Sequence, residues 1–258
     1  MIKDFNITSN TYINTKPYPY MYIDNVLDEN FANILQKEIL DIPDTEFDTY
    51  NNPFEKKLTL RNKNNFPTNL QLLMNYLISE EFINKLSLLT GYKLIPDEHK
   101  HYYGIHKYFS GGKLDIHLDA GIHPKNELKK QVTLGIYLSS NWNNSYGGEL
   151  EIWEGNTNSI HKCVEKIEPK FNRMIIFTCN DISWHGNPNI IKCPEDACRI
   201  FITMSYLSNN FSDSNKLKRA LFVANPNDDN STTLDELRIR RSNNELCHTV
   251  YTADLISK

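Results

Sequence analysis

The chain has 258 residues, long enough for one large β domain or two smaller domains, and its 28 basic and 32 acidic residues give a net charge of −4. Hydrophobic residues make up 40% and charged residues 23%, as in ordinary soluble globular proteins. The negative net charge argues against a surface that binds nucleic acid or membranes. No apolar run is long enough to span a bilayer, and residues 1–6 contain no apolar signal-peptide core. We therefore expect a cytoplasmic protein.

Helical periodicity dominates the first hundred residues. A short strand is predicted at 21–23 and a turn at 51–53. Apolar residues at helical spacing predict three helices, at 29–39 after a capping Asp28, at 70–77, and from Phe82 through Leu88 with an end at Gly91. We therefore expect residues 1–100 to form a helical support that packs on one face of a sheet.

The pattern changes at Gly104, where short apolar or alternating runs recur between polar turns. Such spacing predicts a β sandwich or barrel. The predicted strands are 114–118, 132–138, 149–153, 174–178 and 199–207. We expect residues 101–208 to form this core.

The C-terminal extension, residues 209–258, contains a basic and apolar segment at 217–223 and a predicted short helix at 234–241. Arg238, Arg240 and Arg241 form a basic cluster on this helix. We interpret the cluster as a solvated helix face, with contact to an anionic substrate as the less favoured alternative.

The five cysteines, at 163, 179, 193, 198 and 247, are odd in number and irregular in spacing. This argues against a disulfide framework and favours reduced thiols. Cys193 and Cys198 are compatible with half of a zinc site, but no second ligand pair lies at a suitable spacing, so we favour two free thiols.

The segment His117-Leu118-Asp119 is the strongest functional signal in the chain. Residues i and i+2 of a strand point to the same side, so one imidazole and one carboxylate can share a metal ion. His185, after Trp184, is the candidate third ligand. Two histidines and one carboxylate leave open positions on non-heme Fe(II), as oxygen chemistry requires, although the HxD pair alone is common in proteins.

Residues from Tyr103 to about Leu207 resemble the prolyl-4-hydroxylase-like Fe(II)/2-oxoglutarate dioxygenases. The stretches 132–138 (VTLGIYL), 141–142 (NW), 147–150 (GGEL) and 167–173 (IEPKFNR) are similar to the branch that hydroxylates the hypoxia-inducible factor. Residues 89–97 and 219–223 are more similar to a bacterial and viral subgroup. The resemblance implies a mainly β fold, a double-stranded β-helix or jelly roll with N-terminal supporting helices, and one domain over 1–258.

The resemblance also implies roles for individual residues. His117, Asp119 and His185 match the iron ligands, which are the catalytic centre. Arg199 matches the residue that binds the distal carboxylate of 2-oxoglutarate, because a planar guanidinium bonds a carboxylate in two places. The other cosubstrate-site positions are Tyr137, a second donor to that carboxylate, Leu150, an apolar wall, and His106 and Tyr108, which line the pocket. The implied cofactors are Fe(II), 2-oxoglutarate and O2, with ascorbate as reductant.

Two segments depart from the related hydroxylases. The stretch between Asn187 and Arg199 is longer, and we expect it to bulge outward. The segment 122–130 is also longer and follows the HxD strand, where a lid would lie. Substrate choice should therefore differ. The expected reaction is hydroxylation of an unactivated C–H bond of a prolyl or other amino-acid residue, free or in a protein, with release of succinate and CO2.

Several alternatives stay open from sequence. One is hydroxylation of a sugar or another small polar metabolite. Others are a non-catalytic cupin-like binding module and a zinc-dependent isomerase or hydrolase. Nucleic-acid demethylation is disfavoured, because Ser205 stands where such enzymes place a second arginine. The sequence indicates no oligomeric state.

Overall fold

Thirteen strands form the antiparallel sheet that organises the molecule in the computed structural model, which describes Tyr12, 16–61, 66–211, 216–226 and 232–243. Cys247 and the polar N-terminal segment lie outside these residues. The strands are β1 (Tyr20–Ile23), β2 (Asp48–Asn52), β3 (Glu55–Arg61), β4 (Ile95–Pro96), β5 (Gly104–Tyr108), β6 (Lys113–Leu118), β7 (Lys129–Tyr137), β8 (Leu150–Gly155), β9 (Ile160–Ile167), β10 (Met174–Thr178), β11 (His185–Asn187), β12 (Arg199–Ser208) and β13 (Leu221–Phe222). The helices are α1 (Glu29–Leu40), α2 (Thr68–Leu77), α3 (Glu80–Thr90) and α4 (Thr232–Asn243).

Helices α1, α2 and α3 confirm the three predicted N-terminal helices. Asp28 caps α1 by accepting a hydrogen bond from the Phe31 amide at 3.1 Å. Gly91 ends α3 with a φ of 74°, which an L side chain tolerates poorly. The prediction for the buried face of α3 was wrong at one position. Leu88 was expected to be buried but is 78% exposed, whereas its neighbour Leu89 is 4% exposed.

The main path of the sheet runs β1-β10-β7-β12-β5-β3-β6-β11-β8-β9 and curls into the predicted double-stranded β-helix. Strand alternation separates its two faces. Along β12, Ile200, Ile202, Met204 and Tyr206 pack into the main core together with the three N-terminal helices. The intervening residues, Arg199, Phe201, Thr203 and Ser205, line a cavity on the other face. The same strand is thus a core strand on one face and a wall of the cavity on the other.

A hairpin of β2 and β3 lies within the first hundred residues and was not predicted. The Asn52 side chain accepts hydrogen bonds from the Phe54 and Glu55 amides at 3.0 and 3.1 Å and so stabilises the turn between the two strands. The sequence did predict a turn at this position. Strand β3 pairs with both β5 and β6, so the hairpin is part of the sheet. The polar composition of this segment concealed its strands.

The described part of the C-terminal extension packs onto this hairpin. Strand β13 pairs with β6, with Phe222 opposite His117. The Phe222 ring stacks on Phe54 with centroids 5.2 Å apart, and Leu237 of α4 joins the same cluster. Helix α4 confirms the predicted helix and places it near the cavity. Across the described ranges, the helices are too short or too polar to cross a membrane.

Candidate active site

A cavity of about 510 Å³ opens on the inner face of the sheet and contains all eight residues that the sequence singled out. These residues are His106, Tyr108, His117, Asp119, Tyr137, Leu150, His185 and Arg199. They come from β5, β6, β7, β8, β11 and β12, together with the residue after β6. Strand pairing therefore brings together residues that lie up to 93 positions apart in sequence.

His117, Asp119 and His185 form the one group of metal-ligating side chains that stands out among the described residues. One ligand atom from each lies within 4.8 Å of the others. His117 and His185 are direct partners across β6 and β11, with ring centroids 4.4 Å apart. Asp119 follows two residues after His117, and its oxygens lie 3.5 Å from His117 Nε2 and 3.8 Å from His185 Nε2. This is a facial set with room for further ligands.

Backbone carbonyls orient both imidazoles for metal binding. Nδ1 of His117 lies 2.9 Å from the Asp115 carbonyl oxygen, and Nδ1 of His185 lies 2.9 Å from that of Ser183. Because a carbonyl oxygen only accepts, each Nδ1 donates its hydrogen and each Nε2 presents a lone pair towards Asp119. Burial also lowers the pKa of His185 to about 4, so its imidazole is neutral at physiological pH.

Lys130, which was not predicted as a site residue, forms an ion pair with Asp119. Its Nζ lies 2.6 Å from Asp119 Oδ2 and 4.8 Å from the centroid of the Tyr102 ring. Burial raises the pKa of the Asp119 carboxyl, but the positive charge of Lys130 outweighs it and holds that pKa well below its usual range. The carboxylate is therefore ionised, as a metal ligand must be.

Arg199 lies at the deep end of the cavity and is only 2% exposed. Its Nη2 donates to the Tyr137 hydroxyl at 3.3 Å, and its guanidinium carbon lies 4.7 Å from the Tyr108 ring centroid. Nε and Nη1 of Arg199 are buried without a hydrogen-bond partner. Buried donors of a charged group that make no hydrogen bond cost folding free energy. The site is therefore suited to an anionic ligand with more than one acceptor oxygen.

Gly148 shapes the wall behind Arg199. Its φ is +83°, and a Cβ atom at this position would lie 3.0 Å from Arg199 Cδ. A glycine is needed here both for the backbone conformation and for the close approach of the arginine. The GGEL segment thus supports the cosubstrate end of the cavity, and Leu150, buried beside Tyr137, supplies an apolar wall.

His106 and Tyr108 extend the same end of the cavity along β5. His106 Nδ1 lies 3.0 Å from Thr59 Oγ1. Burial and the positive charges of Lys57 and Arg199 lower the pKa of His106 well below its usual value, so the ring is neutral. Tyr108 is buried and pairs with Arg199 across β5 and β12. Both residues are therefore positioned to line the cavity, as the sequence suggested.

The segment between Asn187 and Arg199 was expected to bulge outward, but part of it packs into the protein. Ile191 and Cys193 are buried in a cluster with Tyr108, behind the cavity wall. The Gly111 amide donates to the Ile191 carbonyl at 2.8 Å, which attaches the segment to the end of β5. The register is nevertheless preserved, since Arg199 pairs with Tyr108. Cys193 and Cys198 are free thiols.

The interpretation of the arginine cluster as a solvated face was wrong for two of its three members. Arg238 and Arg241 are buried, whereas Arg240 is exposed. Arg241 lines the cavity, and its Nη2 lies 2.8 Å from Glu55 Oε1. The other basic lining residues that the sequence did not identify are Lys57, Arg61, Lys130, Lys218 and Arg219. No periodicity in the sequence marks these residues as part of a cavity.

The site fits Fe(II) and 2-oxoglutarate on two observations from the structure. The two Nε2 atoms and the ionised Asp119 provide a facial set of metal ligands. The unsatisfied Nε and Nη1 of Arg199 match a carboxylate group.

Comparison with known proteins agrees with this chemistry. Residues 103–206 match the family model of the 2OG-Fe(II) oxygenase superfamily. No curated protein matches the sequence. The fold is similar to a Pseudomonas putida prolyl-4-hydroxylase, at TM-score 0.57 and 13% identity over 78% of this chain and 99% of that one.

Two further solved structures share the fold. A Trichoplax adhaerens prolyl hydroxylase in complex with a hypoxia-inducible-factor peptide fragment gives TM-score 0.57 and 19% identity over 78% of this chain and 89% of that one. HygX from Streptomyces hygroscopicus, with nickel, 2-oxoglutarate and hygromycin B bound, gives TM-score 0.54 and 10% identity over 80% and 90%. Residues 103–206 therefore match this superfamily, and the site that they build fits Fe(II) and 2-oxoglutarate as metal and cosubstrate.

Proposed function

We propose that the protein hydroxylates an unactivated C–H bond of its substrate. The observation that carries this proposal is the combination, in one cavity, of the His117, Asp119 and His185 set with an Arg199 that has two unsatisfied buried donors. A binding module that had lost catalysis would be expected to lose one of these groups. Zinc chemistry on the same ligands would give Arg199 no role.

The proposed roles follow from the contacts of each side chain. His117, Asp119 and His185 hold the metal, and the Asp115 and Ser183 carbonyls fix the two rings. When bound, Fe(II) and 2-oxoglutarate together activate O2, and the cosubstrate is released as succinate and CO2.

The other residues at the deep end of the cavity bind the cosubstrate and exclude water. Arg199 and Tyr137 bind the distal carboxylate of 2-oxoglutarate, since their donors converge at the deep end of the cavity. Leu150, Phe177 and Phe201 supply apolar lining. Such lining protects a reactive centre from side reactions with solvent.

The substrate has two candidates. A prolyl or other amino-acid residue, free or in a protein, is supported by the resemblance of the core to prolyl hydroxylases. A small polar metabolite is the second candidate, because polar and charged side chains line much of the described part of the cavity. Structures with this fold include one with a bound peptide fragment and one with bound hygromycin B, so the fold is compatible with both kinds of substrate.

Succinate formation tests the proposed function directly. Purified protein is supplied with Fe(II), ascorbate, 2-oxoglutarate and air, and candidates are screened for substrate-dependent succinate and for a product heavier by one oxygen atom. Free proline, prolyl peptides and small polar metabolites form the panel. We expect both products to require His185. Succinate formation that persists undiminished in His185→Ala would contradict the proposal.

A further inference from the structure

Asn187 has a buried amide group whose nitrogen lacks a hydrogen-bond partner. The residue ends β11, two positions after the candidate metal ligand His185, and is only 3% exposed. Its Nδ2 atom is buried and makes no hydrogen bond to any residue that the structure describes. An amide nitrogen has two hydrogens to donate, and leaving them unpaired in the interior costs folding free energy. Such a group is suited to donate to a ligand.

The amide belongs to the wall of the cavity that carries the metal ligands. Residues i and i+2 of a strand point to the same side, so Asn187 and His185 face the same way on β11. Both line the cavity, as does Leu114, which pairs with Asn187 across β6 and β11. On the other side of β11, the register with β8 places Asn187 beside Leu150, another lining residue. The asparagine is therefore flanked by two leucines of the cavity wall.

The two flanking leucines connect Asn187 to the surroundings of Arg199. The leucine of β6 packs against the cluster that contains Tyr108, and the leucine of β8 packs in the cluster that contains Tyr137. Both tyrosines contact Arg199, whose guanidinium carbon lies 4.7 Å from the Tyr108 ring centroid and whose Nη2 lies 3.3 Å from the Tyr137 hydroxyl. Asn187 is thus next to a metal ligand along its own strand and close to the arginine through its neighbours.

2-Oxoglutarate is the ligand whose acceptors best match this position. In the proposed function, one end of the cosubstrate binds the metal and Arg199 binds the distal carboxylate at the other end. A donor that lies beside the metal ligands and close to the arginine can therefore reach a carboxylate oxygen of the same molecule. The amide is neutral, so it adds a hydrogen bond without changing the charge of the site.

We propose that Asn187 binds the cosubstrate, with its side-chain amide donating a hydrogen bond to a carboxylate oxygen of 2-oxoglutarate. The inference rests on the proposed function and adds a third protein group, after Arg199 and Tyr137, to the cosubstrate site. The substrate is the other molecule that enters this cavity. If the amide served the substrate instead, its removal would leave the affinity for 2-oxoglutarate unchanged.

Anaerobic titration of 2-oxoglutarate tests this inference without turnover. The protein is loaded with Fe(II), and the visible charge-transfer band of the chelated cosubstrate gives the dissociation constant. Asn187→Leu removes the amide at a similar side-chain volume. Asn189→Leu is the matched control, because Asn189 is exposed, lies outside the cavity lining and already donates to Glu151 at 2.8 Å. Fe(II) affinity and thermal unfolding are measured for the same three proteins.

We expect Asn187→Leu to weaken 2-oxoglutarate binding about three- to tenfold, the effect of one lost hydrogen bond. Its Fe(II) affinity should stay close to that of wild type, and Asn189→Leu should bind 2-oxoglutarate as wild type does. Without cosubstrate, Asn187→Leu should unfold at the same temperature as wild type or at a higher one, because leucine leaves no unsatisfied donor in the interior. A merely structural asparagine would give a lower unfolding temperature.

Equal affinity of wild type and Asn187→Leu for 2-oxoglutarate would overturn the inference. A loss of affinity that comes with weaker Fe(II) binding and a lower unfolding temperature would also overturn it, since that pattern indicates a structural role. Failure of the proposed function looks different, because wild type would then bind Fe(II) without giving a band. Failure of this inference alone leaves the band intact in both proteins.

Discussion

The two ends of the cavity are built from different parts of the chain. The deep end, with the metal ligands, Arg199 and Tyr137, comes from the strands of the double-stranded β-helix. The basic lining residues other than Arg199 and Lys130, which we call the outer wall, come from β3 and the C-terminal extension, which meet through Glu55 and Arg241. They are Lys57, Arg61, Lys218, Arg219 and Arg241. The deep end holds the groups that fit Fe(II) and 2-oxoglutarate, whereas the outer wall consists of basic side chains from segments outside residues 103–206.

The largest expected effect is the loss of a metal ligand at the deep end. His185→Ala should abolish metal-dependent succinate formation and lower Fe(II) affinity by more than about a hundredfold, because even the partners of metal ligands contribute about ten- to a hundredfold. Metal titration and a succinate assay measure both. His161→Ala, at an exposed histidine of β9, is the control. Tight metal binding in His185→Ala would show that the metal lies elsewhere.

Removal of Arg199 should separate cosubstrate binding from metal binding. Arg199→Ala should weaken 2-oxoglutarate binding about ten- to a hundredfold, since hydrogen bonds to charged groups contribute about 1.5–3 kcal/mol. Fe(II) affinity should be nearly unchanged, which also reports on folding. Arg199→Lys should recover part of the loss, because lysine keeps the charge but not the planar fork. Equal 2-oxoglutarate affinity in wild type and Arg199→Ala would contradict the assignment.

Glu55→Gln tests the connection between the two halves of the outer wall. Burial raises the pKa of Glu55, but Lys57 and Arg241 outweigh it and lower that pKa from 4.5 to about 2. A lowered pKa gives stability that is fully present above pH 4.5 and lost as the pH falls towards 2. The variant should be less stable than wild type by about 1–3 kcal/mol at neutral pH.

The pH dependence of this difference in the free energy of unfolding is a more specific test of the ionic role of Glu55. Denaturant unfolding measures this difference between wild type and Glu55→Gln. The difference should be constant above about pH 5 and should become smaller as the pH falls from 4.5 to 2. Asp41→Asn, at an exposed residue of an i,i+4 pair with Lys37, serves as the control. A gap of the same size at pH 3 and pH 7 would contradict the ionic role of Glu55.

The smallest expected effect is that of the tyrosine hydroxyl beside Arg199. Tyr137→Phe removes one neutral donor and should weaken 2-oxoglutarate binding about three- to tenfold, in line with about 0.5–1.5 kcal/mol for one such hydrogen bond. The ring remains packed against Phe201, with centroids 4.7 Å apart, so stability should change little. An effect as large as that of Arg199→Ala would show that Tyr137 acts through the position of the guanidinium.

Much of the deep end was predictable because it lies on regular strands. The i and i+2 spacing of His117 and Asp119 is a local property of a strand, and the fold places His185 beside them. The short apolar or alternating runs at 132–138 and 199–207 likewise predicted β7 and β12. Arg199 and Tyr137 were placed by resemblance, since neither residue is distinctive by itself.

The outer wall was not predictable because its residues are defined only by contacts between the ends of the chain. A lysine such as Lys57 or Lys130 on a strand is usually exposed, and neither is marked in the sequence as a buried residue. Helix α4 has no marked apolar face, so the burial of Arg238 and Arg241 left no periodic signal. Long-range packing, rather than local propensity, decides this part of the site.

The most direct test of the account is the anaerobic charge-transfer band of the protein with Fe(II) and 2-oxoglutarate, recorded for wild type, Arg199→Ala and Arg240→Ala. Arg240 is an exposed arginine outside the cavity lining. The account predicts a band in wild type and in Arg240→Ala, and a band in Arg199→Ala only at much higher 2-oxoglutarate concentrations. A wild-type protein that binds Fe(II) tightly but gives no band with 2-oxoglutarate would contradict the central claim.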